Sequence, residues 1–302
     1  MGSQRSNLGR EHKTRTLKMP ERIRASSAHI SPSAHYTGYV WYRHYLAEPA
    51  FVTPFGSFVH KLLWPLTWGA RAGFGLDIEA FLLQRHLQID AQLTAAIEQQ
   101  GVRQVVEIAC GLSPRGRRFC SRYPQLQYLE ADLPAMAARK RLLLHGEGWL
   151  DGRHQVRAVD ILAECGNQRL KALFAGLDHS QPVVVITEGL VNYFPLALIE
   201  GFWSRLAAEL GEFPSATYLT ELYPDLREHP RYRQLRWGVD LIGRLTRGSY
   251  PLHYRDHDEI VAGFQRCGFA QVQVLDPSAD ASSLGLQPSR LPGLVRVIQA
   301  RT

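Results

Sequence analysis

The sequence predicts an α/β protein: a doubly wound, mostly parallel seven-stranded sheet with an antiparallel C-terminal strand, a helical N-terminal cap and an inserted lid segment. Three observations predict it. Short apolar runs alternate with helix-competent stretches, the signature of a parallel sheet. The run Glu107-Ile-Ala-Cys-Gly-Leu-Ser-Pro-Arg-Gly116 joins the first strand to a helix through small residues, making a crevice where a ligand can meet bare backbone. The last two apolar runs, 270–275 and 294–300, flank a polar segment that suits an antiparallel pair.

Residues 1–24 hold seven Lys/Arg and two Glu, while the rest of the chain has 28 basic and 26 acidic residues. The formal charge of +7 is therefore mostly a property of the tail, which is expected to be disordered, and weak evidence for a nucleic-acid partner. With 45% apolar residues the chain can bury a full core. No run approaches the roughly 20 apolar residues of a membrane span. The polar, basic start is unlike a signal peptide. Cys110, Cys120, Cys165 and Cys267 match no zinc spacing and read as reduced thiols. A cytoplasmic monomer or homodimer is expected, with no membrane or nucleic-acid partner.

Residues 25–76 are dense in aromatic residues, among them Tyr36, Trp41, Phe58, Trp64 and Trp68, interrupted by Pro and Gly. They read as short helices forming a cap, packed on the core or roofing a site. Residues 77–302 form the main domain. A helix is expected over 77–99, where Ile78, Phe81, Leu82, Ile89, Leu93 and Ile97 recur every three or four residues. Arg85 lies on that stripe. An inward guanidinium needs an anionic partner, either a structural acid or a ligand carboxylate.

Strands follow at 102–108, 127–130, 155–159, 183–187 and 217–222, with helices at 115–122, 134–145 and 195–210. The β-branched run Val-Val-Val-Ile-Thr at 183–187 suits a central strand buried on both faces. Pro195 and Gly211 bracket the third of these helices. Residues 223–258 break the pattern and read as an insertion near the open end of the sheet. A helix at 256–266 precedes the closing strands.

Four acids stand at expected strand ends: Glu107, Asp132, Asp160 and Glu188. Each alone reads as a cap or surface residue. Together they favour hydroxyls, amines and positive charge at the edge where α/β sheets bind ligands. The turn lacks G-x-G-x-x-G, since Ala109 and Gly111 replace the first two glycines. It suits a nucleoside without a pyrophosphate, and S-adenosylmethionine has the diol, the amines and the sulfonium. Metal is not expected: in His253-x-x-Asp256-His257-Asp258 the acids read as a helix start.

These motifs resemble the leucine carboxyl methyltransferase-like superfamily of class I S-adenosylmethionine-dependent methyltransferases, in its bacterial polyketide-type O-methyltransferase branch. V-V-E-I-A-C-G-L-S-P-R-G is similar to its first motif, Y-L-E-A-D-L-P at 128–134 to its second strand, V-D-I at 159–161 to its adenine segment, and T-E-G-L-V-N-Y-F at 187–194 to its fourth strand. F-L-L-Q-R-H-L-Q-I-D at 81–90 resembles its R-x-x-x-x-D helix.

The resemblance implies that Arg85 holds the methionine carboxylate, with Ala109 and Gly111 close to the methionine part. It implies Asp132 and Leu133 at the ribose, Asp160 and Ile161 at the adenine, and Glu188 near the amine. The chain departs from the pattern at Ala109, where glycine is usual, and at Ser113, where Asp is common. No lysine stands between Lys18 and Lys61, unlike members that methylate a protein C-terminus. The expected activity is O-methylation of a small organic acid or phenol, with His35, Tyr36 or Tyr193 serving a phenol as base. The alternatives are an NAD(P)-dependent oxidoreductase and a non-catalytic S-adenosylmethionine-binding protein.

Overall fold

The computed structural model describes residues 32–74, 77–163, 165–225, 227, 232–233, 251–286 and 293–302. The expected basic tail, and most of the expected insertion at 223–258, lie outside them. Seven strands form one sheet in the order β3-β2-β1-β4-β5-β7-β6. They are β1 (Gln104–Ile108), β2 (Gln127–Asp132), β3 (His154–Ala158), β4 (Val183–Thr187), β5 (Ala216–Leu222), β6 (Gln271–Leu275) and β7 (Arg296–Arg301). The first five pair in parallel, and β7 runs antiparallel to both β5 and β6. This is the sheet the sequence predicts.

Alternation along β4 explains the layers. Val183 and Val185 pack into one apolar cluster with Phe202, Trp203 and Leu206 of α7 (Leu196–Leu210) and Phe264 of α8 (His257–Arg266). Val184 and Ile186 face the other way, onto Ile89 and Leu93 of α3 (Ile78–Gln100) and Phe119 of α4 (Arg115–Arg122). A strand with apolar residues on both faces can sit only in the middle of a three-layer structure. α5 (Pro134–Gly146) crosses between β2 and β3, and the short α6 (Leu170–Phe174), absent from the sequence reading, precedes β4.

α3 has the start and stop its sequence calls for. Asp77 accepts from Ala80 N at 3.0 Å, and Gly101 ends the helix with φ +68. The candidate metal acid Asp256 is the N-cap of α8, accepting from Glu259 N at 2.9 Å.

The aromatic segment folds as α1 (Pro32–Arg43), a 3-10 turn at Pro49–Phe51 and the long α2 (Pro54–Phe74), which runs on through Pro65. Val40 and Trp41 pack with Val59, Leu63 and Leu82, joining α1, α2 and α3. Glu79 fastens the same junction, accepting from Arg43 at 2.8 Å and lying 2.7 Å from His60 Nε2. No helix among the described residues is long and apolar enough to cross a membrane.

Candidate active site

Register brings the carboxyl ends of β1, β2, β3 and β4 level. Ile108 pairs with Ala131 and with Thr187, and Asp132 pairs with Ala158. The chain leaves β1 through Ala109, which holds φ +57, and Gly111, at φ +48. A Cβ on Gly111 would come 3.7 Å from the Cβ of Ala34, so the start of α1 lies over this turn.

Asp132 closes the turn from the next strand. One carboxylate oxygen accepts from Gly111 N and the other from Leu133 N, each at 2.7 Å. Burial raises the Asp132 carboxyl above its ordinary pKa, against the pull of those two N–H groups. Each oxygen keeps a second lone pair. Asp160 caps the turn after β3 by accepting from Leu162 N at 2.9 Å. Ile161 is buried in the core, and its carbonyl accepts from Arg205 at 2.9 Å.

Arg85 points inward from α3 and is 6% exposed. Its Nε donates to Glu188 at 3.1 Å, and Nη1 donates to the Tyr223 hydroxyl at 3.3 Å. Glu188, one residue beyond β4, also takes Arg115 Nη2 at 2.5 Å and lies 2.8 Å from His86 Nδ1. Burial alone would raise its carboxyl; His86, Arg115 and Arg85 together hold it well below the usual range.

Glu107 is placed differently from the other three acids. It lies inside β1, and its oxygens accept from Arg115 and from the Tyr128 hydroxyl, both at 2.7 Å. Its carboxylate is thus engaged within the protein.

Four residues that the sequence reading passed over organise this edge. Arg115 is fully buried and bonds Asp90, Glu107 and Glu188, tying α3, β1 and the end of β4 to the start of α4. Lys140 of α5 is also fully buried. Its Nζ donates to Ser113 O at 2.7 Å and pairs with Glu130 at 2.7 Å, beneath the β1 turn. Burial by itself would lower Lys140; Cys110 and Glu130 raise it above its ordinary value, so it stays charged. Glu221 of β5 accepts from Gly189 N at 2.6 Å and lies 3.8 Å from Arg85. Its second oxygen is buried without a hydrogen-bond partner among the described residues, and burial pushes its pKa up to about 7. Asn192 pins the chain on either side of the late insertion, accepting from Tyr223 N at 2.9 Å and donating to Pro251 O at 2.6 Å. Arg115, Asn192 and Asp90 had a signal in the sequence, as members of motifs without an assigned role; Lys140 and Glu221 had none.

The three candidate bases are separated by environment. His35 sits on α1 next to the residue that covers Gly111, with Nδ1 at 2.8 Å from the Thr53 hydroxyl. Burial first, and Arg139 second, lower its pKa and keep the imidazole neutral. Tyr36 lies in the packing of α1 on α2, stacked on His60, with its hydroxyl pushed up to about 12 by burial. Tyr193 ends a 3-10 turn at Val191–Tyr193, just beyond Glu188 and beside Asn192. Cys110 is a buried thiol pushed far above its ordinary pKa by burial, as a packing residue would be.

The leucine carboxyl methyltransferase family model matches residues 68–201, a stretch containing Arg85, the β1 turn, Asp132, Asp160 and Glu188. A Mycolicibacterium gilvum (strain PYR-GCK) protein named "Putative S-adenosyl-L-methionine-dependent methyltransferase" is 36% identical over 96 residues. That match covers 32% of this chain and 30% of the relative, so the chain spans under a third of the relative's length. A solved structure of a "putative methyltransferase" from Thermobifida fusca YX superposes with a TM-score of 0.57 at 13% identity, covering 95% of this chain and 99% of that one. That likeness is one of fold. Over residues 68–201 the chain is similar to the leucine carboxyl methyltransferase family.

Proposed function

We propose that the chain is an S-adenosylmethionine-dependent methyltransferase that methylates an oxygen of a small organic acid or phenol. The observation that carries the cofactor assignment is the Asp132–Gly111 contact in a positive-φ turn at the sheet edge, framed by Asp160 on one side and Arg85 with Glu188 on the other. The donor set fits the group. Asp132 retains lone pairs for the ribose diol, Glu188 is ionised for an ammonium, and Arg85 is the cation for a carboxylate. The orphaned Glu221 oxygen offers a further acceptor beside Arg85. The absence of a pyrophosphate-binding glycine pattern and the antiparallel β6–β7 pair count against a dinucleotide oxidoreductase.

When bound, S-adenosylmethionine supplies a methyl group on a sulfonium, electrophilic and with a neutral leaving sulfide. The chain then has to orient the acceptor oxygen in line and keep water out. Ala109 and Gly111 would bring backbone against the methionine part, while Leu133 and Ile161 bound the ribose and adenine. A carboxylate acceptor needs no base. For a phenol, neutral His35 is the better placed base, since Tyr36 at about 12 is buried in packing and keeps its proton. Tyr193 and the aromatic cap would border the acceptor.

The test offers the purified protein labelled S-adenosylmethionine with aromatic acids, fatty acids and phenols beside peptides and RNA. The reading expects label as a methyl ester or ether of a small acceptor. Label found only in peptide or RNA refutes the small-molecule assignment. Label on nitrogen, carbon or sulfur refutes the O-methyl assignment alone.

A further inference from the structure

Much of helix α2 is an apolar surface that no described residue covers. Its first half is anchored: Val59 and Leu63 pack with Val40 and Trp41, and His60 is buried against Glu79. From Trp64 to Gly73, every residue whose side chain is described is exposed, apart from the half-buried Thr67. Phe58, Leu62, Trp64 and Trp68 are 60%, 65%, 56% and 60% exposed. At about 100° per residue, Leu62 and Trp64 point to nearly opposite sides of the helix, as do Leu66 and Trp68. The inner side is taken by Val59, Leu63 and His60, so these residues make one broad apolar face turned away from the fold.

Charge narrows the occupant further. The 21 residues of α2 contain Lys61 and Arg71 and no acid. Exposed Arg71 pairs with half-buried Asp77 at 3.4 Å. Residues 1–24, which precede α1, add seven basic side chains and two acidic ones. Two copies meeting through α2 would set two basic helices without acids against each other. An anionic lipid surface matches both features: its hydrocarbon takes Phe and Leu across a broad face, its headgroup level suits Trp, and its charge attracts Lys and Arg.

We infer that the α2 helix seats the protein on an anionic lipid surface, lying in the interface rather than spanning it. This differs from the expectation of no membrane partner, which rested on the lack of a spanning segment. It is independent of the methyl-transfer reading, although α2 begins beside His35: Phe55 packs edge-on against that ring at 5.3 Å between centroids.

The experiment is co-sedimentation of the full chain with vesicles of phosphatidylcholine alone and of phosphatidylcholine with an equal part of phosphatidylglycerol. The wild-type chain is expected to bind the anionic vesicles and to bind the neutral ones much less. Trp64→Ser combined with Trp68→Ser should weaken anionic-vesicle binding at least about tenfold, because two large apolar side chains are lost from the lipid. Melting curves and far-UV circular dichroism check that the variant folds; if it does not, the exposed Lys61→Glu variant should show the same direction of change. No binding by wild type overturns the inference. So does undiminished binding by the α2 variants, which would assign attachment to the tail. A dimer in ultracentrifugation that the variants dissociate, with no vesicle binding, would identify the helix as a protein interface instead.

Discussion

At Ala109 a side chain occupies left-handed backbone, φ +57, at the first turn position of the site. An L-residue there is strained by about 1–2 kcal/mol relative to its usual conformations. Ala109→Gly is therefore expected to raise stability by up to about 1 kcal/mol, after the entropy glycine loses on folding. Thermal melting checks it; a lower Tm would contradict the strain. Gly116 is the opposite case. A Cβ there would run into the Glu130 carboxylate and His154, both buried, so Gly116→Ala should cost about 1–3 kcal/mol by overpacking.

Glu221 makes a pH-dependent prediction. Its carboxyl rises from an ordinary 4.5 to about 7 on folding. A carboxyl raised in the folded state favours folding fully below about pH 4.5, and that contribution is lost as pH rises through 7. Glu188 and Asp90, both held low, titrate below this window. Glu221→Gln should therefore remove a fall in stability between about pH 4.5 and 7 and make the protein more stable than wild type at pH 8, by on the order of 3 kcal/mol. Denaturant titrations at pH 4, 6 and 8 measure it, and parallel wild-type and variant curves would contradict it.

At the scale of elements, the β1 turn is held from below by α5. Lys140 fixes Ser113 O and neutralises Glu130 in a fully buried pair. Lys140→Met strands that carboxylate and should cost about 3–5 kcal/mol, whereas Lys140→Met with Glu130→Gln should recover much of the loss. A double variant as unstable as the sum of the single ones would show the pair is uncoupled. This cluster also marks where the sequence stops being legible. The strand at 183–187 and the helix Arg115–Arg122 were readable because period and β-branching are local properties. The edge acids Asp132, Asp160 and Glu188 were readable because strand ends are. Lys140, Glu221 and the buried role of Arg115 were not, because charged residues on a helix or strand ordinarily face solvent. Only the crossing of α5 under the β1 turn, a contact across 27 residues of chain, makes Lys140 an interior cation. The core position of Glu107 was hidden for the same reason: its partner Arg115 is eight residues away, and nothing in that spacing shows the two meet in the core. The long α2 was hidden by Pro65 and its glycines, which read as interruptions.

At the scale of the molecule, Asp132 closes the β1 turn at the sheet edge, the start of α1 lies over that turn, and Asn192 pins the described residues on either side of the late insertion. Arg85 joins the layers there, since it reaches from α3 to Glu188 and Tyr223. Arg85→Lys keeps a charge without the forked geometry and should weaken cofactor binding while leaving the fold intact. The central claim, that this edge holds S-adenosylmethionine, is tested most directly by calorimetric titration of S-adenosylmethionine and of NAD into the wild-type chain, Asp132→Ala and Asp160→Ala. The account predicts binding of S-adenosylmethionine and not NAD by wild type, with each substitution weakening it by about 1–3 kcal/mol for lost charge-assisted hydrogen bonds. Wild-type affinity in both variants, or binding of NAD in preference, would contradict it.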